Sequence, residues 1–225
     1  MQIIKRKVLG YIPILEEQFI KKLPFSKINA IFVFYFNYHE FKHQKEMKQV
    51  TLHNKTFEIS IPEEKILGVV KQLAERLNND LKDVDKPIFI SILNGSFMFT
   101  ADLIRHINIP CEVSFLKLSS YSGTQSSGKV RELIGLTNKL EGRTVIILED
   151  IVDTGNTLEE LASTLRAHNP KSVKLATLLL KPDVYKKDIT LDYVGLSIPN
   201  EFIVGYGLDY DELGRNLRDI YTLVK

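Results

Sequence analysis

The sequence predicts an α/β fold built on a largely parallel sheet, and three observations predict it. Apolar runs at residues 87–93, 145–148 and 173–180 read as strands, and 145–148 is too short for a helix and rich in β-branched residues, as a buried strand is. Between them lie segments of helical periodicity, one marked by Ile66, Val69, Val70, Leu73, Ala74 and Leu77, another by Leu158, Leu161, Ala162 and Leu165. Strand and helix alternate along the chain, the order that βαβ units produce. Ligands of such sheets bind beyond the carboxyl ends of the strands.

Bulk properties set the outer limits. A chain of 225 residues, 44% hydrophobic and 26% charged, can bury one sizeable core with room for a small subdomain. The single cysteine, Cys111, excludes an internal disulfide framework, fits a reducing compartment and reads as a small core residue on a strand. The five histidines show no metal-ligand spacing. The net charge of +2 is unevenly placed. Residues 1–46 carry eight basic and four acidic side chains, leaving 22 basic against 24 acidic in the rest. A mildly acidic body argues against a broad nucleic-acid footprint.

Residues 1–46 differ in composition from residues 47–225. Nine aromatics crowd there, yet the apolar run 28–36 is far shorter than the roughly 20 residues a membrane helix needs. That run comes late and no small-residue cleavage site succeeds it, so a secretory leader is not expected. The expectation is that translation starts at Met47 and residues 1–46 come from an over-long gene assignment, the alternative being a real extension packed on a partner subunit, and that 47–225 forms one domain.

From Thr51 onward the elements can be justified in turn. Phe57, Ile59 and Ile61 alternate with polar residues as in a half-buried strand. Pro62-Glu63-Glu64 suits a first helical turn, with both acids at the positive end of the dipole, and Asn78-Asn79-Asp80 is expected to end that helix. After the strand at 87–93, Asn94-Gly95-Ser96 sits between strand and helical patterns, so a βα turn is expected and then a helix to about Ile107. Residues 111–118 read as a strand, and 119–128, small and polar, as a loop. Asn169-Pro170 stops the next helix, and a strand at 173–180 ends at Lys181-Pro182.

The most informative stretch is residues 144–158. Glu149 and Asp150 stand where the strand 145–148 is expected to end, and Asp153-Thr154-Gly155-Asn156-Thr157 turns into a helix. Gly155 allows backbone amides to approach an anion closely, the threonine hydroxyls donate hydrogen bonds, and the helix start offers unpaired N–H groups. An anion cradle beside two acids suits a phosphorylated ligand whose hydroxyls or metal ion the acids hold.

Glu149-Asp150-Ile151-Val152-Asp153-Thr154-Gly155-Asn156-Thr157 resembles the phosphoribosyl-pyrophosphate (PRPP) signature of type I phosphoribosyltransferases. Further segments over roughly residues 50–225 resemble the hypoxanthine-guanine branch. The resemblance implies the type I phosphoribosyltransferase fold, a twisted sheet flanked by helices with a small hood made by terminal segments. It implies purine salvage, with PRPP and a 6-oxopurine converted to a nucleotide and pyrophosphate, a Mg²⁺ cofactor, a homodimer or homotetramer, and a cytoplasmic setting without nucleic-acid or membrane partners.

Site residues carry over one by one. Glu149, Asp150 and residues Asp153, Thr154, Gly155, Asn156 and Thr157 match the part that binds ribose phosphate, and Asp153 matches the residue assigned to take the purine proton. Leu93-Asn94-Gly95-Ser96 matches a Leu-Lys-Gly-Gly loop whose backbone binds pyrophosphate through a cis peptide, with Asn94 in place of lysine. The backbone role survives that change, whereas any lysine charge does not. Ser120-Tyr121 matches a Ser-Tyr pair on a lid over the ribose, Lys181 the lysine that reads the purine 6-oxygen, Phe202 the stacking aromatic, and Ile203 the residue whose backbone meets the base edge. Arg215 matches a pyrophosphate-binding arginine. Asp209 matches a carboxylate beside the purine that, with Glu149 and Asp150, makes up the magnesium ligands.

Without the resemblance several of these positions read more simply. Residues 119–128 would be an ordinary connection, Lys181 a solvated strand end, Phe202, Val204 and Tyr206 one strand face, and Asp209 with Arg215 a surface pair. Two rivals compete with the enzyme reading. Asp-Thr-Gly occurs in aspartic proteases, but those need two facing copies in a β-rich setting, and this chain has one, succeeded by a helical pattern. A PRPP-sensing regulator would be expected to show a basic face. Transferases for adenine, orotate, xanthine or pyrimidine share the central signature, and Lys181 with Phe202 favours 6-oxopurines.

Overall fold

The computed structural model describes residues 49–119, 131–134 and 138–224; the expectations for residues 1–46 and for Ser120-Tyr121 lie outside the described residues. Residues 49–225 form a compact unit by themselves. Its larger sheet contains β3 (Ile88–Leu93), β4 (Glu112–Ser119), β5 (Arg131–Ile134), β6 (Thr144–Val152), β7 (Ser172–Leu180) and β8 (Tyr193–Ser197) in the order β5-β4-β3-β6-β7-β8. All neighbours pair parallel except the edge strand β5, which is antiparallel to β4. A smaller antiparallel sheet, ordered β1-β2-β10-β9, joins β1 (Gln49–Leu52) and β2 (Lys55–Ile61) to β9 (Ile203–Val204) and β10 (Ile220–Leu223). It is the expected hood.

Alternate residues of each central strand serve opposite cores, which is why the strands read as unbroken apolar runs. Ile146, Leu148 and Phe89 pack with α1 (Glu63–Leu81) and α2 (Phe97–His106). Val145, Ile147, Ile88 and Ile90 pack with Leu158, Leu161, Ala162 and Leu165 of α3 (Asn156–Arg166) on the other face. Cys111 stands one residue before β4, partly buried against the first core, and burial pushes its thiol up.

Two boundaries differ from the sequence expectation, each for a tertiary reason. α1 does not stop at Asn78-Asn79-Asp80 but continues to Leu81, whose side chain is buried in line with Leu77. The polar residues are held from outside the helix: Asn78 donates to the carbonyl of His106 and accepts from the amide of Asn108, both at 2.9 Å, and Asp80 accepts from the Tyr193 hydroxyl at 2.7 Å. Likewise β6 does not end before the acids. It runs to Val152 because β7 keeps pairing with it, Glu149 opposite Thr177 and Val152 opposite Leu180. On its other side β3 accompanies β6 only as far as Leu148. The two carboxylates therefore lie on a strand segment that one neighbour has already left.

That departure is also the topological switch. From β3 the chain steps outward to β4, then returns to lay β6 on the opposite side of β3. The loops after β3 and β6 diverge and leave a crevice at the carboxyl ends, where such sheets bind ligands.

Candidate active site

A cavity of about 260 Å³ opens in that crevice, lined by Ile92, Leu93, Glu149, Asp150 and the continuous run 151–158. Its floor is the turn 153–157. Gly155 takes the left-handed conformation, φ 81°, and caps α3. The first hydrogen bond of the helix links the Glu159 amide to the Gly155 carbonyl at 3.0 Å. The amides of Asn156, Thr157 and Leu158 precede that ladder and are the donors a helix start presents to an anion.

Register explains the next contact. Val152 pairs with Leu180, and the Lys181 amide donates to the Val152 carbonyl at 3.0 Å, so Asp153 and Lys181 leave adjacent strand ends together. Their side chains form an ion pair, Nζ to Oδ2 3.6 Å, with Lys181 only 8% exposed. Lysine is seldom buried without a partner.

The loop after β3 is held from beneath and above. The Leu93–Asn94 peptide is cis, as the resemblance implies. Beneath it, the hydroxyls of Ser91, Ser96 and Thr100 form a buried chain of hydrogen bonds, 2.7 Å each, tying β3, the loop and α2 together. A methyl group on Gly95 would run into the Asp150 carboxylate, and one on Gly207 into the Gly95 carbonyl. Only glycines allow this stack of hood loop, β3 loop and β6 carboxylate. Arg215 extends it, donating to the Gly207 carbonyl at 2.9 Å and pairing with Asp209 at 2.7 Å.

Electrostatics mark the carboxylates. Burial pushes both up, and Glu149 is raised well above the usual range, with the Asp150 charge adding to the burial effect. At Asp150 the rise is partly offset by the hydrogen bond from the Ile151 amide, 2.9 Å, and by the Arg215 guanidinium. Two crowded carboxyls that resist ionising alone are a donor set for a cation. Magnesium is commonly held by one or two carboxylates, with water and substrate oxygens completing its shell, so this pair fits it. Among the described residues no group of three His, Cys, Asp or Glu side chains converges as a metal cluster. Asp209 is engaged instead by Arg215 and by the Glu212 amide, which it accepts at 2.8 Å.

Phe202 and Ile203 come from the hood. Ile203 is buried in β9, whereas Phe202 is 44% exposed, edge-on to Tyr210 (centroids 5.7 Å, 87°) and backed by Phe57 at 6.0 Å. Lys55 Nζ lies 5.1 Å from the Phe202 ring centroid and 4.5 Å from that of Tyr210. Sequence reasoning did not single out Ser91, Thr100, Gly207, Tyr185 or Lys187, all of which support this site. Gly205-Tyr206-Gly207 carried a usable signal, two glycines around an aromatic, and both take φ 101°. The hydroxyl chain carried none, since a serine inside an apolar strand has many explanations.

Comparison with known proteins agrees with this geometry. The family model described as "Phosphoribosyl transferase domain" matches residues 61–211. A hypoxanthine-guanine phosphoribosyltransferase of Mycobacterium tuberculosis is 43% identical over 166 residues, 71% of this chain and 82% of that protein. A crystal structure of a hypoxanthine-guanine phosphoribosyltransferase from Bacillus anthracis, with a HEPES molecule in its active site, superposes with TM-score 0.70 at 43% identity, covering 74% of this chain and 98% of that one. A hypoxanthine phosphoribosyltransferase of Trypanosoma cruzi, whose C-terminal region was studied for its role in oligomeric state and enzymatic activity, gives TM-score 0.71 at 40% identity, covering 78% and 95%. Among the described residues no helix is long and apolar enough to cross a membrane. With a strand–acid–turn–helix cradle at the switch point and matches of this extent, the chain belongs to the hypoxanthine-guanine phosphoribosyltransferase family.

Proposed function

We propose that the protein salvages purines, moving the 5-phosphoribosyl group of PRPP onto hypoxanthine, and onto guanine, to give IMP or GMP and pyrophosphate. The observation that carries the reading is the cavity itself, with a glycine-capped helix start at its floor and, in its wall, the buried carboxyl of Asp150 beside the partly buried one of Glu149.

The 5′-phosphate lies on the amides of 154–157 with the Thr154 and Thr157 hydroxyls, and Glu149 and Asp150 hold the ribose hydroxyls. As the purine nitrogen bonds to the anomeric carbon, the bond to pyrophosphate breaks and the purine gives up its N–H proton. Asp153 stands at that proton. It stabilises positive charge developing on the ring as it takes that proton, and proton transfer adds at most about 10²–10⁴-fold. Lys181, beside Asp153, donates to the 6-oxygen, Phe202 stacks on the base, and the Ile203 backbone reads its edge. Stacking is worth about 0.5–1.5 kcal/mol. The loop amides at Asn94 and Gly95, with Arg215 released from Asp209, receive the leaving pyrophosphate. Mg²⁺ held at Glu149 and Asp150 would supply positive charge to the developing pyrophosphate. Asp209 is a further carboxylate for that role.

Work in the cytoplasm as a homodimer or homotetramer fits this reading. Assays of hypoxanthine, guanine, xanthine and adenine, each with PRPP and Mg²⁺, test it. Turnover of the first two with little of adenine supports it, and no turnover of any 6-oxopurine ends it.

A further inference from the structure

The segment after Lys181 returns to the phosphate turn. The Tyr185 hydroxyl donates to the Ile189 carbonyl at 2.6 Å, closing a tight bend. The face of that bend lies on Gly155, where an added methyl would stand 2.6 Å from the Tyr185 ring and 3.0 Å from Lys187 Cγ. Lys187 then reaches along α3, and its ammonium meets the Glu159 carboxylate at 2.6 Å. Glu159 is the acidic residue in the first turn of α3, the same turn whose amides face the cradle. An acid there stabilises an empty helix start, because it complements the dipole. It opposes a phosphate dianion, because both are negative.

We propose that Lys187 is a positioning residue for the 5′-phosphate. It neutralises Glu159 and holds that carboxylate against the bend, so the helix start meets the phosphate without a competing anion. The same alkyl chain, with the Tyr185 ring, packs against Gly155 behind the turn. This inference rests on the reading that the turn binds a phosphoribosyl phosphate. It adds that the bend leading away from Lys181 and the cradle form one charge-balanced unit.

The test uses the full chain with Mg²⁺ and compares Lys187→Met, Lys187→Arg, Glu159→Gln and the Met/Gln double variant. Calorimetry gives their affinities for PRPP and IMP at low and high salt. Lys187→Met should weaken both ligands roughly three- to tenfold at low salt, and the loss should shrink at about 1 M salt, where screening is short-ranged. Lys187→Arg should keep wild-type affinity, Glu159→Gln should bind no more weakly than wild type, and the double variant should return to within about twofold of it. A purely structural lysine would give a salt-independent loss, and a direct phosphate ligand a loss that Glu159→Gln does not rescue. Either result, or no loss in Lys187→Met, overturns the proposal. If wild type binds neither PRPP nor IMP, the phosphate reading itself falls and this inference with it.

Discussion

Replacing Lys181 by methionine keeps most of the length of the side chain and removes its charge. Among the described residues the buried lysine has one ionic partner, Asp153 at 3.6 Å, and that partner is 51% exposed on its side chain. Water can take over the lost contact at Asp153, so folding stability should change by less than about 1 kcal/mol. The purine has no such substitute inside the site. A hydrogen bond from a charged donor contributes about 1.5–3 kcal/mol, and each 1.4 kcal/mol is tenfold. Hypoxanthine and guanine should therefore bind roughly 10- to 150-fold more weakly, while PRPP affinity stays near wild type. Initial rates with the purine varied at saturating PRPP, and direct calorimetry for PRPP, measure the two effects. Adenine has no 6-oxygen, so the preference for hypoxanthine over adenine should fall by the same factor. An unchanged preference would refute the reasoning, because it would show that Lys181 does not read the 6-position.

Three further outcomes are expected. Asp153→Asn should lower turnover by up to about 10²–10⁴-fold with PRPP binding retained, and wild-type turnover in single-turnover rates would remove its role. Gly95→Ala, which drives a methyl into the Asp150 carboxylate, should cost about 1–3 kcal/mol as overpacking and weaken PRPP binding; full stability in urea denaturation with intact affinity would contradict the tight stack. In the metal-free protein, Glu149 has its folded pKa raised, so its stabilising protonated state is fully present below the unfolded value of about 4.3 and is lost as pH rises through the raised value. Compared with Glu149→Gln, wild-type Tm should decline across that window, Mg²⁺ should reduce the decline, and a wild-type Tm rising relative to the variant would be inconsistent with a carboxyl whose pKa the fold raises.

Where local pattern and tertiary demand coincide, the chain could be read directly. Ile146 and Ile147 need both faces of a sheet covered, and Leu158, Leu161, Ala162 and Leu165 need one helix face covered, so β6 and α3 were legible from their residues. The turn between them was legible as an anion cradle because Gly155 and the helix start serve the same chemistry. What stayed hidden depended on partners distant in sequence. Glu149 and Asp150 belong to a strand only because β7 continues beside them. Asn78 and Asp80 stay helical because His106, Asn108 and Tyr193 receive their side chains. The hood strand β10 is short and finds β2 more than 150 residues away in sequence, Ile220 opposite Ile61. The start of α1 likewise has no side-chain cap of its own, and Asp219 supplies it by accepting the Glu63 amide at 2.8 Å.

The roles of Lys181, Phe202, Asp209 and Arg215 came from family resemblance, since each position had an ordinary explanation when read alone. Geometry adds pressure toward function at two of them. Lys181 is buried beside Asp153, and Arg215 bridges Asp209 to the glycine stack over Asp150. Neither arrangement is what a solvated strand end or a loose surface pair requires.

A crystal structure with bound IMP tests the central claim most directly. The account places the 5′-phosphate oxygens within about 2.7–3.2 Å of the amides at 154–157, with the purine 6-oxygen on Lys181 Nζ. A phosphate seated anywhere other than the helix start at Gly155 would contradict it.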